Sequence, residues 1–375
     1  MPTGHVAYSI SELDLAMIVS VPQGGNWKNI PHNIPSKRLE QIRNSGGRTT
    51  LYGRLEWDKP SFTITTYFNR PGNGTYIHPD ADRTLTSAEA ARFQSFPDSF
   101  CFTGSKTTRT KQIGNAVPPL LAYQIARNIK RVSPELKTMV DLFCGSGGLS
   151  LGFKWAGFEC LVANDNFREA SETYALNFPE TDFVFGDISE IETKKEIFRI
   201  IGSKEKVDLV VGGPPCQGFS NAGKRLIDDP RNVLYKEFIS VVSTTKPKVV
   251  LMENVEGILS MGKGQVFAEI RKDIEDLGYF VEARKLNAAD YGVPQRRKRV
   301  IIIGSRKDEA GLMFPEKSSY LTPTSTNDAI GDLPVETVEL VDQNVIPHPP
   351  KTMYQKFMQG KVSPKALLDF LESGN

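Results

Sequence analysis

The chain has 375 residues, 39% of them hydrophobic and 24% charged, with a net charge of +2 and four cysteines. That is the composition of a globular protein large enough for two cores. With no apolar run long enough to cross a bilayer and no basic start followed by an apolar leader, no membrane association and a cytoplasmic location are expected. Cys101, Cys144, Cys160 and Cys216 are scattered without close pairing, so neither a disulfide framework nor a metal site is expected.

Residues 1–80 are rich in Pro, Gly, Asn and Thr and show helical spacing only over 11–19, so they read as irregular, with short strands and turns. A helix is predicted over 87–95, capped near Thr86-Ser87, and another over 117–132 with Pro118 and Pro119 in its first turn. Strands and helices then alternate. Strands are predicted at 138–143, 158–163, 183–185, 207–211, 249–252 and 300–303. Helices are predicted at 149–156, 168–178 and 190–201. Val, Ile and Leu dominate the strands, which predicts an α/β fold with a doubly wound, mainly parallel sheet covered on both faces. Ligands of such a sheet bind beyond the carboxyl ends of its strands. Residues 307–375 carry Pro315, Pro323, Pro334, Pro347, Pro349 and Pro350 and resemble the first 80 in texture.

Positive charge is clustered at Arg296, Arg297, Lys298 and Arg299. The smaller groups, Lys37-Arg38, Lys106 with Arg109 and Lys111, and Arg127 with Lys130 and Arg131, read as solvated surface.

Four motifs carry chemistry. Asp141-Leu142-Phe143-Cys144-Gly145-Ser146-Gly147-Gly148 ends the first sheet strand, where Gly145 and Gly147 let the backbone turn and approach a ligand. Alone it would serve NAD, FAD, S-adenosylmethionine or only a tight turn. Asp165 follows the next strand, placed to accept from ribose hydroxyls; Asp187, with Ile188 beside it, follows the third, placed to meet an adenine edge. Two acids after successive strands suit a nucleoside better than helix caps. Gly212-Gly213-Pro214-Pro215-Cys216-Gln217-Gly218-Phe219-Ser220 puts a cysteine in a rigid loop at the carboxyl edge, whereas the other three cysteines suit burial. Glu253-Asn254-Val255 brings a carboxylate to the same crevice, able to protonate or hydrogen-bond a ring nitrogen. In Gln295-Arg296-Arg297-Lys298-Arg299, strand alternation would set Arg297 and Arg299 on one face, both pointing into the site.

Together and in this order, these motifs resemble the cytosine-C5 DNA methyltransferase family. Two further blocks of that family are present but displaced. Arg83-Thr84-Leu85-Thr86 with Glu89-Ala90-Ala91-Arg92-Phe93-Gln94-Ser95-Phe96-Pro97-Asp98 resembles the block that closes the recognition region. Gln112-Ile113-Gly114-Asn115-Ala116-Val117-Pro118-Pro119 resembles the family's last block. Both stand before the Gly-rich loop instead of after the Arg-rich motif, so the resemblance implies a circularly permuted member, with the old ends joined across 132–137. Residues 1–98 and 307–375 are then expected to make a smaller, strand-rich recognition domain from both chain ends. Residues 99–135 lead back to a catalytic domain at 136–306.

The resemblance implies transfer of a methyl group from S-adenosylmethionine to carbon 5 of a flipped cytosine in duplex DNA. Cys216 would be the nucleophile, Glu253 the partner of ring nitrogen 3, and Arg299 the holder of the exocyclic oxygen with Arg297 in support. Asn254 and Pro215 would shape the pocket. Phe143, Gly145, Gly147, Asp165, Asp187, Ile188, Pro215 and Asn115 would face the cofactor. Where many members place an adenine-stacking aromatic, Asn166 stands here, followed by Phe167. The loop with Ser220, Lys224 and Arg225 would close over the base, and Arg48, Arg54, Lys59 and Arg70 would reach phosphate or solvent. The family type implies a restriction-modification system with a cognate endonuclease. One chain carries every motif, so action as a monomer is expected. An RNA cytosine methyltransferase, a non-catalytic DNA-binding module and a nicotinamide oxidoreductase are the alternatives; the last leaves the Pro-Pro-Cys-Gln loop unexplained.

Overall fold

The computed structural model describes residues 1–204, 206–215, 233–317 and 322–373. The chain forms two compact units. The first comprises Met1–Ala116, Gly292–Arg297 and Ser318–Asn375; the second comprises Val117–Tyr291 and Lys298–Lys317. Both chain ends thus fall in the first unit.

The first unit opens with helices α1 (Glu12–Val19) and α2 (Lys37–Ser45), then strands β1 (Gly53–Arg54) and β2 (Thr75–Ile77), then helices α3 (Ser87–Phe93) and α4 (Lys106–Asn115). Each helix start has a local cause. Ser11, Ser36 and Ser105 cap α1, α2 and α4, and Thr86 forms a reciprocal capping box with Glu89 at α3. A core of Met17, Ile18, Val21, Trp27, Ile30, Leu39, Ile42, Tyr52 and Ile77 lies beneath α1 and α2.

The second unit carries α5 (Pro119–Val132), β3 (Thr138–Leu142), α6 (Gly148–Trp155), β4 (Glu159–Asp165), α7 (Arg168–Asn177), β5 (Asp182–Phe185), α8 (Ile191–Gly202) and β6 (Leu209–Gly212). It continues with α9 (Val233–Thr245), β7 (Val249–Val255), α10 (Gln265–Asp276), β8 (Phe280–Asn287) and β9 (Lys298–Ser305). Its seven strands run in the order β5-β4-β3-β6-β7-β9-β8. The first five are mutually parallel, and β9 runs antiparallel to both β7 and β8. Winding leaves β3 in both directions, so right-handed crossovers send helices to opposite faces. This is the doubly wound α/β sheet expected. Its switch point lies between β3 and β6, where strand order reverses.

The chain returns to the first unit with α11 (Thr326–Ile330), α12 (Met353–Met358) and α13 (Pro364–Ser373). The expectation of a strand-rich domain is corrected here. Among the described residues this unit has one two-stranded sheet, and its strands span two and three residues. Pro315, Pro323, Pro334, Pro347, Pro349 and Pro350 lie in loops between helices, and a further proline, Pro364, opens α13. Strand β8 was not legible because it is a sheet-edge strand with most positions exposed or half-buried, which leaves little apolar alternation to read. Among the described residues no helix is long and apolar enough to cross a membrane.

Candidate active site

Register places the site. Leu142 at the end of β3 pairs with Gly212 at the end of β6, and Gly212 pairs with Met252 in β7. The loops after β3 and β6 and the pair Glu253-Asn254 therefore leave the sheet side by side. Strand β9 runs the other way, so Arg299 near its start lies opposite Val255. Four sequence-distant segments meet at one end of one sheet.

Glu253 and Arg299 form an ion pair, Nε to Oε1 at 2.8 Å, with side chains only 12% and 14% exposed. Asn254 is buried and donates its amide to the Pro214 carbonyl at 2.9 Å, which ties the end of β7 to the loop that leads to Cys216. The glycine before that loop has a steric reason. A side chain at Gly213 would place its Cβ 3.2 Å from Oε2 of Glu253. Pro215 is half-buried. Cys216 and the loop with Ser220, Lys224 and Arg225 lie outside the described residues.

The Gly-rich loop begins with Phe143 in the left-handed region at φ 56°, a conformation that costs a non-glycine residue about 1 kcal/mol or more. It is held there on both sides. The ring packs against the sheet core, and the next N–H, of Cys144, bonds to the Asn164 carbonyl at 3.1 Å. Asp165 fixes the turn, accepting from the Gly145 N–H and the Phe167 N–H, each at 2.8 Å. Gly147 combines φ 92° with a would-be Cβ only 2.4 Å from the Phe178 ring, so no other residue fits without displacement.

Two buried polar atoms here have no hydrogen-bond partner, Ser146 Oγ in the loop and Asp141 Oδ1 in β3 before it. Such atoms are rare in folded chains, and Ser146 sits in the turn expected to cradle a ligand. Asp141 and Ser146 gained no role from the sequence, although a carboxylate inside the apolar run Thr138–Leu142 is itself a signal. Asp141 is fully buried, accepts from the Ser150 hydroxyl at 2.6 Å, and has its pKa pushed up to about 7, by burial first and then by nearby Asp165. Burial also lifts Asp165, against its bonds from the Phe167 and Gly145 N–H groups. At Asp187 burial opposes ionisation, but the Ser189 N–H and hydroxyl outweigh it and hold the carboxyl below its usual range.

Asn166 is exposed and donates to Asp187 at 3.4 Å; Phe167 is half-buried just before α7. Ile188 is buried in the sheet core, so its backbone rather than its side chain is left for a ligand. Asn115 is exposed at the last position of α4, in the other unit. Burial raises Cys144 well above the ordinary thiol range and Cys160 to about 12, so both are poor nucleophiles, and Cys101 is half-buried.

Three expectations about basic residues are corrected. Arg297 does not share a strand face with Arg299. It precedes β9, is fully buried, and donates to the Ile64 and Gly114 carbonyls, each at 2.8 Å. Arg54 reaches neither phosphate nor solvent. Its guanidinium bonds the carbonyls of Val21, His78, Ala81 and Ile18 and the carboxylate of Asp82. Arg109 is likewise buried, on the Gly104 and Val341 carbonyls and Asp342. In irregular segments carbonyls without ladder partners need donors, and a guanidinium supplies several from one residue. Arg48 and Arg70 are exposed, and Lys59 pairs with Glu56 at 2.6 Å.

A family model described as C-5 cytosine-specific DNA methylase matches residues 13–131 and 137–366. The type II methyltransferase M1.HphI of Haemophilus parahaemolyticus is 45% identical over 200 residues, covering 52% of this chain and 53% of that protein. The type II methyltransferase M.AgeI of Thalassovita gelatinovora is 40% identical over 246 residues, covering 59% and 57%. M.BspRI of Lysinibacillus sphaericus is 40% identical over 232 residues, covering 53% of each. The chain thus spans about half the length of these curated relatives in each match. The family model accounts for most of the chain, and the chain belongs to the C-5 cytosine-specific DNA methylase family.

Proposed function

We propose that the chain is a site-specific DNA (cytosine-5-)-methyltransferase that uses S-adenosylmethionine. The observation that supports this most is the convergence at one end of the sheet. The Glu253–Arg299 pair lies at the sheet end where the loop to Cys216 departs, and Asn254 ties that loop down through Pro214. The resident cofactor suits the neighbouring turn. The unpartnered Ser146 Oγ and the carboxylates of Asp165 and Asp187 offer acceptors to an amino-acid end and a nucleoside end. Phe143, Gly145, Gly147, Ile188, Pro215 and Asn115 are the remaining residues proposed to face it. Bound there, S-adenosylmethionine supplies an electrophilic methyl group on a sulfonium.

Carbon 5 of cytosine is a poor nucleophile. Cys216, as thiolate, adds to carbon 6 and moves electron density to carbon 5. Glu253 meets ring nitrogen 3 as charge develops there, and Arg299 holds the exocyclic oxygen and orients Glu253 through their ion pair. After methylation, loss of the carbon 5 proton restores the double bond and expels Cys216. The reacting atoms are inaccessible inside a duplex, so the base is flipped out at about a few kcal/mol. The first unit is proposed as the region that reads DNA, phosphate contacts setting register and a few side chains reading bases. Cytoplasmic location, action as a monomer and a partner endonuclease of the same specificity complete the proposal.

The motif order supports a circular permutation. The two stretches matched by the family model part between residues 131 and 137, where the old ends would have been joined. The test is transfer of a labelled methyl group to mixed-sequence duplex DNA and, in parallel, to tRNA. Label on duplex cytosine is expected. Label on tRNA alone would replace the proposal with an RNA methyltransferase.

A further inference from the structure

The Arg-rich motif is expected to aim two arginines at the substrate, but Arg297 lies before β9 and bonds within the first unit. Gln295 and Arg297 are both fully buried in the first unit and face other work. The Gln295 side chain accepts from the Ile64 N–H at 2.8 Å and donates to the Phe93 carbonyl at 3.1 Å and to Gln94 Oε1 at 2.9 Å. Gln94 in turn donates to the Ile113 carbonyl at 2.5 Å. Arg297 spans the Ile64 and Gly114 carbonyls. The helix end is pressed against the same segment, since a Cβ at Gly114 would lie 2.4 Å from the backbone carbon of Thr65 and the nitrogen of Thr66. Two of these bonds, from Gln94 to Ile113 and from Arg297 to Gly114, reach the last turn of α4, the others brace their donors, and the next residue, Asn115, is exposed.

We infer that Arg297 is a positioning residue for Asn115. With Gln295 and Gln94 it forms a buried polar frame that fixes the carboxyl end of α4 and so the direction of the Asn115 amide. Arg297 thereby serves cofactor binding and does not touch the cytosine. This rests on the reading of Asn115 as a cofactor contact. A charge-assisted bond to a buried carbonyl is strong because the acceptor has no solvent alternative. Lysine keeps the charge but cannot span two carbonyls, so it should preserve part of the effect and methionine none.

The experiment measures S-adenosylmethionine binding by calorimetry, without DNA, for the full chain and for Asn115→Ala, Arg297→Lys, Arg297→Met and the double variant Asn115→Ala/Arg297→Lys. Asn115→Ala is at an exposed position and leaves the fold intact. Affinity should fall about tenfold in Asn115→Ala, less in Arg297→Lys than in Arg297→Met, and no further in the double variant than in Asn115→Ala. Wild-type affinity in Arg297→Lys and Arg297→Met, or additive losses in the double variant, would overturn the positioning role alone. Unchanged affinity in Asn115→Ala would instead remove the cofactor reading of Asn115, and the inference with it. If Arg297→Met does not fold, the comparison of Arg297→Lys with the double variant still decides.

Discussion

In the sheet unit Val140, Leu142, Val162, Val210, Val250 and Ile302 are buried together, on strands whose backbone groups pair with one another. The other unit has its own apolar core but also buries Arg54, Arg83, Arg92, Arg109 and Arg297. The contrast has one cause. Parallel strands satisfy their own carbonyls, so aliphatic side chains suffice around them. A unit of short helices and loops leaves carbonyls unpaired, and arginines thread it to supply the donors. Charge in such a sequence is therefore a poor guide to surface, and an arginine near a motif is as apt to hold the frame as to touch the substrate.

The largest test of this contrast is Arg92, whose guanidinium lies between the buried carboxylates of Asp98 and Asp332. Arg92→Leu strands two acids and should cost about 3–5 kcal/mol of stability in urea denaturation. A loss under about 1 kcal/mol would mean that the frame carries no weight. Arg54→Met removes five bonds at once and should cost about 3 kcal/mol by the same measurement.

Asp141 sharpens the contrast from the sheet side, as a charge that the aliphatic unit tolerates badly. Its pKa rises from 3.8 to about 7 on folding, so between those values the folded chain holds a proton that the unfolded chain has released. Its contribution to stability is then lost as pH rises from about 4 through 7, by up to a few kcal/mol. Asp141→Asn should flatten that slope in chemical denaturation followed across the window; an unchanged slope would contradict the assignment. Ile302→Val, deep in β9, should cost about 1 kcal/mol, an ordinary loss of one buried methylene. Arg48→Ala, at an exposed position, should change stability by less than about 0.5 kcal/mol while lowering DNA affinity in a salt-dependent way.

The same contrast explains what the sequence made legible. The strands β3, β4, β6, β7 and β9 announced themselves as aliphatic runs, and with them the order of Asp165, Asp187, Glu253 and Arg299 around one sheet end. The ion pair of Glu253 with Arg299 was not legible, because β9 enters that sheet end as an antiparallel strand and the reading of Glu253 used only its parallel neighbours. Arg297 was misread because alternation holds only inside a strand, and β9 begins one residue later. Arg54 and Arg109 were misread because a buried carbonyl leaves no mark in composition. In the first unit α1 and α3 match the expected helices, whereas α2 and α4 were missed for a related reason. Caps such as Ser36 and Ser105 look like loop residues when the helix behind them is polar on most faces.

A covalent bond from Cys216 to the substrate base is proposed to form at the sheet end where Glu253, Asn254 and Arg299 converge. It is tested most directly by transfer of labelled methyl from S-adenosylmethionine to duplex DNA, comparing the wild-type chain with Cys216→Ser. Label on cytosine carbon 5 is expected with the wild type and none with the variant, while both bind the cofactor equally. Undiminished transfer by Cys216→Ser, or no transfer by a wild-type chain that binds the cofactor, would contradict it.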